Sequence, residues 1–226
     1  MRYIEELRDI HKGKEIWVIG AGPSVDDFPQ DFFDDRISIA LNEMGFAFPS
    51  TYIHSCDIPF SKGVKGKPEL GKCIFVHRPG IDWGDSPVIM RFNGKRATRE
   101  DFELVAKCIM LKGDCCYLTR TTIAHTAIQA AAVMGAKKVT LVGCEARAKK
   151  DRSYSKRSGH RPRPQGYTEE EQKGTSATFT AMREGIQWLA EVLPGIRIAR
   201  YYYKDIPEYG VKKGYEKIGG VNANQM

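Results

Sequence analysis

The chain has 226 residues, 42% hydrophobic and 10% aromatic, with a formal net charge of +7. That length and mix fit a globular protein with one sizeable core and one domain. No run of eighteen apolar residues occurs, and the acid-containing start Met1-Arg2-Tyr3-Ile4-Glu5-Glu6 has no apolar signal core. Neither a membrane span nor a secretory signal is therefore expected, and the expected location is the cytoplasm.

In chain order, residues 1–14 predict a short helix, with Ile4, Leu7 and Ile10 three apart. Glu15 to Gly20 predicts a buried strand that stops abruptly in Gly20-Ala21-Gly22-Pro23-Ser24, where the glycines let the backbone turn sharply. Ser24 to Phe33 is acidic, broken by Pro29, and reads as an irregular helix or loop. Strands are expected at 37–42, 51–57 and 72–77, and Phe60 to Gly71 is rich in Lys and Gly. Val88 to Phe92 reads as a strand and Glu100 to Leu111 as a helix.

A further strand is expected at 114–118, leading into Thr119-Arg120-Thr121-Thr122. The alanine-rich run Ile123–Met134 reads as a helix able to pack closely on a sheet, ended by Gly135. Val139–Gly143 is a strand with Cys144-Glu145 at its carboxyl end. A loop or lid over 146–174 precedes an amphipathic helix at 178–193 and a last strand at 196–201. The tail 207–226 is polar and glycine-rich and is expected to be weakly ordered. Strands and helices alternate, which predicts a single α/β Rossmann-like domain over 1–206, with a mostly parallel sheet flanked by helices.

Six cysteines at 56, 73, 108, 115, 116 and 144 form no Cys-X-X-Cys. That spacing argues against structural zinc, so no metal site is assigned. The cysteines read as reduced core residues in a reducing compartment. The charge is concentrated. Between Arg147 and Gly166 eight cations (Arg147, Lys149, Lys150, Arg152, Lys156, Arg157, Arg161 and Arg163) face the single acid Asp151, so the rest of the chain is close to neutral. A local positive segment implies a local anionic partner, either the phosphates of a nucleotide or a nucleic acid. The alternative is a plain solvated loop.

In an open α/β sheet, ligands bind beyond the carboxyl ends of the strands. The glycine turn matches a nicotinamide fingerprint only in part. Val25 stands where a third small residue is expected, Pro23 removes an amide donor, and Leu41-Asn42 stands where a ribose-binding acid would lie. A tight turn with no ligand is the plain alternative. Asn42 has both a donor and an acceptor for a ligand.

Taken together, Gly20-Ala21-Gly22-Pro23-Ser24, Leu41-Asn42, Thr121-Thr122, the small-residue helix 123–134 and Leu141-Val142-Gly143-Cys144-Glu145 resemble one superfamily. It comprises the DUF115 group, with its archaeal 6-hydroxymethylpterin diphosphokinase-like proteins, and bacterial sialyltransferases of the Campylobacter lipooligosaccharide type. Short phage proteins look alike too. The resemblance implies a nucleotide-sugar donor, CMP-linked in the sialyltransferases, held by Gly20, Gly22, Pro23, Ser24, Asn42, Thr121, Thr122 and Gly143. Tyr154 would stack on a base or touch phosphate from the lid, or stand solvated.

The sequence departs from the family in three places. Ala21 replaces an Asn, Glu145 replaces an Asp, and no histidine stands in Glu170-Glu171-Gln172-Lys173-Gly174-Thr175-Ser176, ahead of the last helix. The remaining candidates for acid–base work are His160, Asp57 and Glu145. Each has a plain alternative: a solvated residue among arginines for His160, a turn cap for Asp57, a lone strand-end carboxylate for Glu145.

The expected activity is a glycosyltransferase-like sugar transfer to an unidentified hydroxyl acceptor. One alternative is ATP-dependent diphosphate transfer, which needs Mg²⁺ and convergent carboxylates. The other is a non-catalytic nucleic-acid-binding accessory protein. The oligomeric state is left open.

Overall fold

A computed structural model describes residues 2–56, 72–76, 88–144, 169–201 and 215–218. Eleven strands are found among them: β1 (Arg2–Tyr3), β2 (Glu15–Ile19), β3 (Ser38–Leu41), β4 (Tyr52–Ser55), β5 (Cys73–Val76), β6 (Val88–Met90), β7 (Phe92–Arg96), β8 (Tyr117–Thr119), β9 (Lys138–Val142), β10 (Arg197–Tyr201) and β11 (Tyr215–Ile218). The helices are α1 (Met44–Ala47), α2 (Arg99–Met110), α3 (Ala124–Val133) and α4 (Glu169–Val192).

Nine strands form one sheet in the order β1-β6-β5-β4-β3-β2-β9-β10-β11, and β7 and β8 pair separately. Every pair is parallel. This is the expected Rossmann-like α/β architecture. From β2 the chain builds outward through β3, β4, β5 and β6, then returns to lay β9 on the other edge of β2. The order reverses between β2 and β9, and a crevice opens at such a reversal.

The core has two layers. Ile16, Val18, Ile39, Leu41, Val139, Leu141 and Ile198 face α3 and its neighbours. Ile19, Ala40, Val142 and Tyr201 face the segment between β2 and β3, which contributes Val25, Phe28, Phe32 and Phe33. All four residues of β3 are buried. Exposed and buried residues do not alternate there because a central parallel strand is covered on both faces. The aromatic cover is packed edge to face: Trp17 and Phe32 rings lie 5.4 Å apart, Phe28 and Tyr201 4.7 Å. The Tyr201 hydroxyl donates to Asp27 Oδ2 at 3.0 Å, tying this cover to β10.

The first fourteen residues are not one helix. Arg2–Tyr3 pairs with β6, Ile4–Leu7 makes a short 3-10 turn, and Asp9 and Gly13 take positive φ. Ile4 and Leu7 are buried as their spacing implied, but Ile10 is 55% exposed because the helix has already ended. The strand expected at 114–118 is shifted to Tyr117–Thr119, since Asp114 and Cys116 point to solvent. Cys116 is thus a correction to the expectation of core cysteines: it is exposed, while Cys73, Cys115 and Cys144 are buried. The last helix starts earlier than its apolar repeat, at Glu169. Tyr215–Ile218, within the polar tail, pairs with β10. No helix among the described residues is long and apolar enough to cross a membrane.

Two caps fix α2. Thr98 Oγ1 accepts from Asp101 N while Asp101 Oδ2 accepts from Thr98 N, a reciprocal cap at its start. Arg8 donates to the carbonyls of Ile109 and Gly113 at its end. All ten residues of α3 are buried. Its C-terminal turn is bonded to the segment before β2, through Asp9 N to Val133 O and His11 N to Met134 O. Its N-terminus therefore lies at the opposite, carboxyl edge of the sheet.

Candidate ligand site at the strand-order reversal

The end of β2 and the end of β9 are locked together. Gly20 N donates to Val142 O at 2.7 Å, Gly22 N donates to Gly143 O at 2.7 Å, and Gly143 N donates to Ser24 Oγ at 3.0 Å. A Cβ on Gly143 would sit 2.0 Å from Gly20 O, and one on Gly20 would sit 2.5 Å from Gly143 O. Gly143 also has φ +66°. Glycine is required here because two backbones touch and one has a left-handed conformation. Ser24 and Pro23 are both buried. The glycines thus supply the shape of the turn. Of the three amides in Gly20-Ala21-Gly22, the one making no hydrogen bond among the described residues is Ala21 N.

Asn42 stands just past β3, the next strand over. Its φ is +51°, a region that Asn tolerates better than most residues. The backbone is held on both sides: Asn42 N donates to His54 O at 3.0 Å, and Gly45 N donates to Asn42 O at 3.1 Å. The hydroxyl of Ser55, which is fully buried at the end of β4, donates to Asn42 Oδ1 at 2.7 Å.

The Thr119–Thr122 turn leads into α3. Thr119 Oγ1 donates to Thr122 O at 2.6 Å, and Thr122 Oγ1 accepts from Ala124 N at 3.4 Å. Thr121 Oγ1 is buried with no hydrogen-bond partner. His125 shapes this turn from below. Its Nδ1 accepts from Arg120 N at 3.1 Å, so the proton sits on Nε2, which donates to Met182 O at 3.0 Å. Gly185 lets α4 approach, for a Cβ there would lie 2.5 Å from His125 Nε2.

His54 connects the rim to α3. Its Nδ1 donates to Ile74 O at 2.7 Å and its Nε2 faces Thr126 Oγ1 at 2.7 Å. Burial pushes both histidines down to about 4, against the pull of the Ile74 and Met182 carbonyls that favour the cation. Both are neutral at pH 7 and serve packing.

The His54–Thr126 contact places the α3 N-terminus, with Thr121 and Thr122 just ahead of it, at the carboxyl edge near β4. Gly20, Gly22, Pro23, Ser24, Asn42, Thr121, Thr122 and Gly143 therefore share one edge of the sheet. Asp57, Glu145, Tyr154, His160 and the whole cationic segment 147–163 lie outside the described residues. β9 ends at Val142, and α4 starts at Glu169. Among the described residues no three or more of His, Cys, Asp and Glu cluster as a metal site would need.

Two residues at this edge escaped the sequence reading. Ser55 looked like an ordinary strand residue. Arg200 is 6% exposed and in phase with Ile198, on the helix-covered face of β10 near its carboxyl end. An arginine in the buried phase of an apolar strand was the available signal. Comparison with protein families, with curated proteins and with solved structures gives no match.

Proposed function

We propose that this protein binds a nucleotide at the carboxyl edge of its sheet and acts as a nucleotide-sugar-dependent, glycosyltransferase-like enzyme on a hydroxyl acceptor. The observation that carries the binding reading is that Asn42 and the Thr121–Thr122 turn lie at the same carboxyl edge of the sheet, beside β3 and β4. The positive end of the α3 dipole favours an anion at the start of that helix. Thr121 Oγ1, buried and without a hydrogen-bond partner, is the kind of group a ligand satisfies.

The reaction class rests on the resemblance of the motif set to the sialyltransferases. In such a transfer the acceptor hydroxyl loses its proton to a base and attacks the sugar's anomeric carbon. The nucleotide phosphate leaves as the anion. His160, Asp57 and Glu145 are the candidates for that base, and the cations at 147–163 would balance the leaving charge.

The test is a thermal-shift screen against CMP-, UDP- and GDP-sugars, ATP with Mg²⁺, and short DNA, since a ligand of the folded state raises its melting temperature. A nucleotide-sugar response that disappears in Asn42→Ala and Thr122→Ala supports the reading, as would slow release of free nucleotide. A response to ATP only with Mg²⁺ points instead to diphosphate transfer. A response to DNA alone, lost when the 147–163 cations are neutralised, points to a nucleic-acid-binding accessory protein.

A further inference from the structure

Three observations meet at Asn42. Its backbone is held at φ +51° by hydrogen bonds to β4 and to the start of α1. A backbone kept in a sparsely populated region at a strand end points to a functional constraint. Its side-chain oxygen accepts from a fully buried serine. Its amide nitrogen Nδ2 makes no hydrogen bond among the described residues and is not sealed from solvent. The outward-facing atom of this amide is thus a donor.

The placement makes that polarity informative. In a dinucleotide fold the end of the strand beside the glycine turn has an acid, which accepts from a ribose hydroxyl. Here the corresponding position presents the opposite sense. A hydroxyl can satisfy either sense because it both donates and accepts. An oxygen without a proton can pair only with a donor.

We propose that Asn42, oriented by Ser55, donates to a ligand oxygen that has no proton of its own, a phosphoryl or carbonyl oxygen, since a sugar hydroxyl could have been read by the usual acid and such an oxygen could not. Ser55 is a positioning residue and touches no ligand. This rests on the nucleotide reading above and narrows what part of the nucleotide lies over β3.

Isothermal titration with CMP, UMP, AMP and GMP, and with the four matching nucleosides, tests it. For whichever nucleotide binds, Asn42→Asp should weaken affinity at least about 10-fold, because a carboxylate then faces an acceptor; losing a charged-group hydrogen bond costs this much. Ser55→Ala, which frees the amide to rotate, should weaken it a few-fold. The double variant should lose less than the product of the two, since both act through one amide. Asn42→Gly keeps the positive φ without the amide and should also weaken affinity, which decides the matter if Asn42→Asp does not fold. If nucleotides lose affinity and nucleosides do not, the oxygen is phosphoryl; if both lose it, the oxygen is a base carbonyl. Wild-type affinity in both Asn42 variants, or independent effects of the Asn42 and Ser55 changes, overturns the proposal while leaving nucleotide binding intact. A wild-type protein that binds none of the eight overturns the nucleotide reading itself.

Discussion

The carboxyl edge of the sheet has a closed half and an open half. In the closed half, Gly20, Gly22, Ser24 and Gly143 spend polar groups on the junction between β2 and β9. In the open half, Asn42 and Thr121 hold polar atoms that no described residue satisfies. The glycine turn is the most visible motif in the chain, yet its visibility comes from backbone contact. The groups left over for a ligand belong to residues that look ordinary in sequence. Changes in the closed half should therefore cost stability, and changes in the open half should cost binding.

The strongest way to break this contrast is Gly143→Ala. The new Cβ would overlap Gly20 O and the backbone is left-handed, so β2 and β9 must part. Steric overlap and backbone strain together should cost more than about 3 kcal/mol, read as a large drop in the urea midpoint or as failure to fold. Gly195→Ala is the control. Its φ is +76° but nothing lies within 4 Å, so only strain of about 1 kcal/mol is expected. Equal losses at the two positions would show that the close approach does not matter.

Next in size is a pH effect on the two histidines behind the open half. Their pKa values fall from 6.5 in the unfolded chain to about 4 in the fold. The unfolded chain then binds more protons between those values, so stability is complete above pH 6.5 and is lost as pH falls towards 4. Each histidine contributes on the order of 3 kcal/mol to that loss. Urea midpoints between pH 7 and 4.5 should fall steeply in the wild type and more gently in His54→Gln or His125→Gln. Parallel profiles would mean that neither ring is held neutral.

Gln129→Leu should cost about 2 kcal/mol. The Gln129 amide donates to the carbonyls of Leu118 and His125 and accepts from Leu118 N, acting as a short strand beside β8. Its loss orphans buried backbone groups. Ser24→Ala should cost about 1–2 kcal/mol by leaving Gly143 N unpaired, while nucleotide affinity stays unchanged. A larger effect on affinity than on stability would move Ser24 into the open half.

The smallest effect has the opposite sign. Thr121→Val removes a buried hydroxyl that has no partner. It should leave stability unchanged or raise it by up to about 1 kcal/mol, and weaken any nucleotide response. A destabilised Thr121→Val protein would mean that the hydroxyl already serves the fold.

How much was legible follows from the same division. Largely apolar runs marked β2, β3, β4, β5, β9 and β10 because a parallel strand buried on both faces is mostly apolar. The alanine run marked α3 because only small side chains let a helix lie buried on all sides. The N-terminal helix was misread because Ile4 and Leu7 satisfy a helical spacing over one turn, while Asp9 turns left-handed just beyond. Gly20 and Gly143 were found as motif glycines, but their mutual contact was not, since nothing local links positions over a hundred residues apart. Ser55 and Arg200 were missed for that reason as well: each matters through what a neighbouring strand or helix places beside it.

The central position of β2 has a consequence for how the chain is made. One edge of β2 meets β3 within about twenty residues, but its other edge waits for Lys138–Val142. At bacterial-to-eukaryotic synthesis speeds that wait lasts roughly 6–25 s on the ribosome. During it a strongly apolar strand of the nascent protein has a bare row of peptide groups, the form that recruits stray chains. Slowing translation between codons 45 and 138 should lower soluble yield more than slowing it after 142.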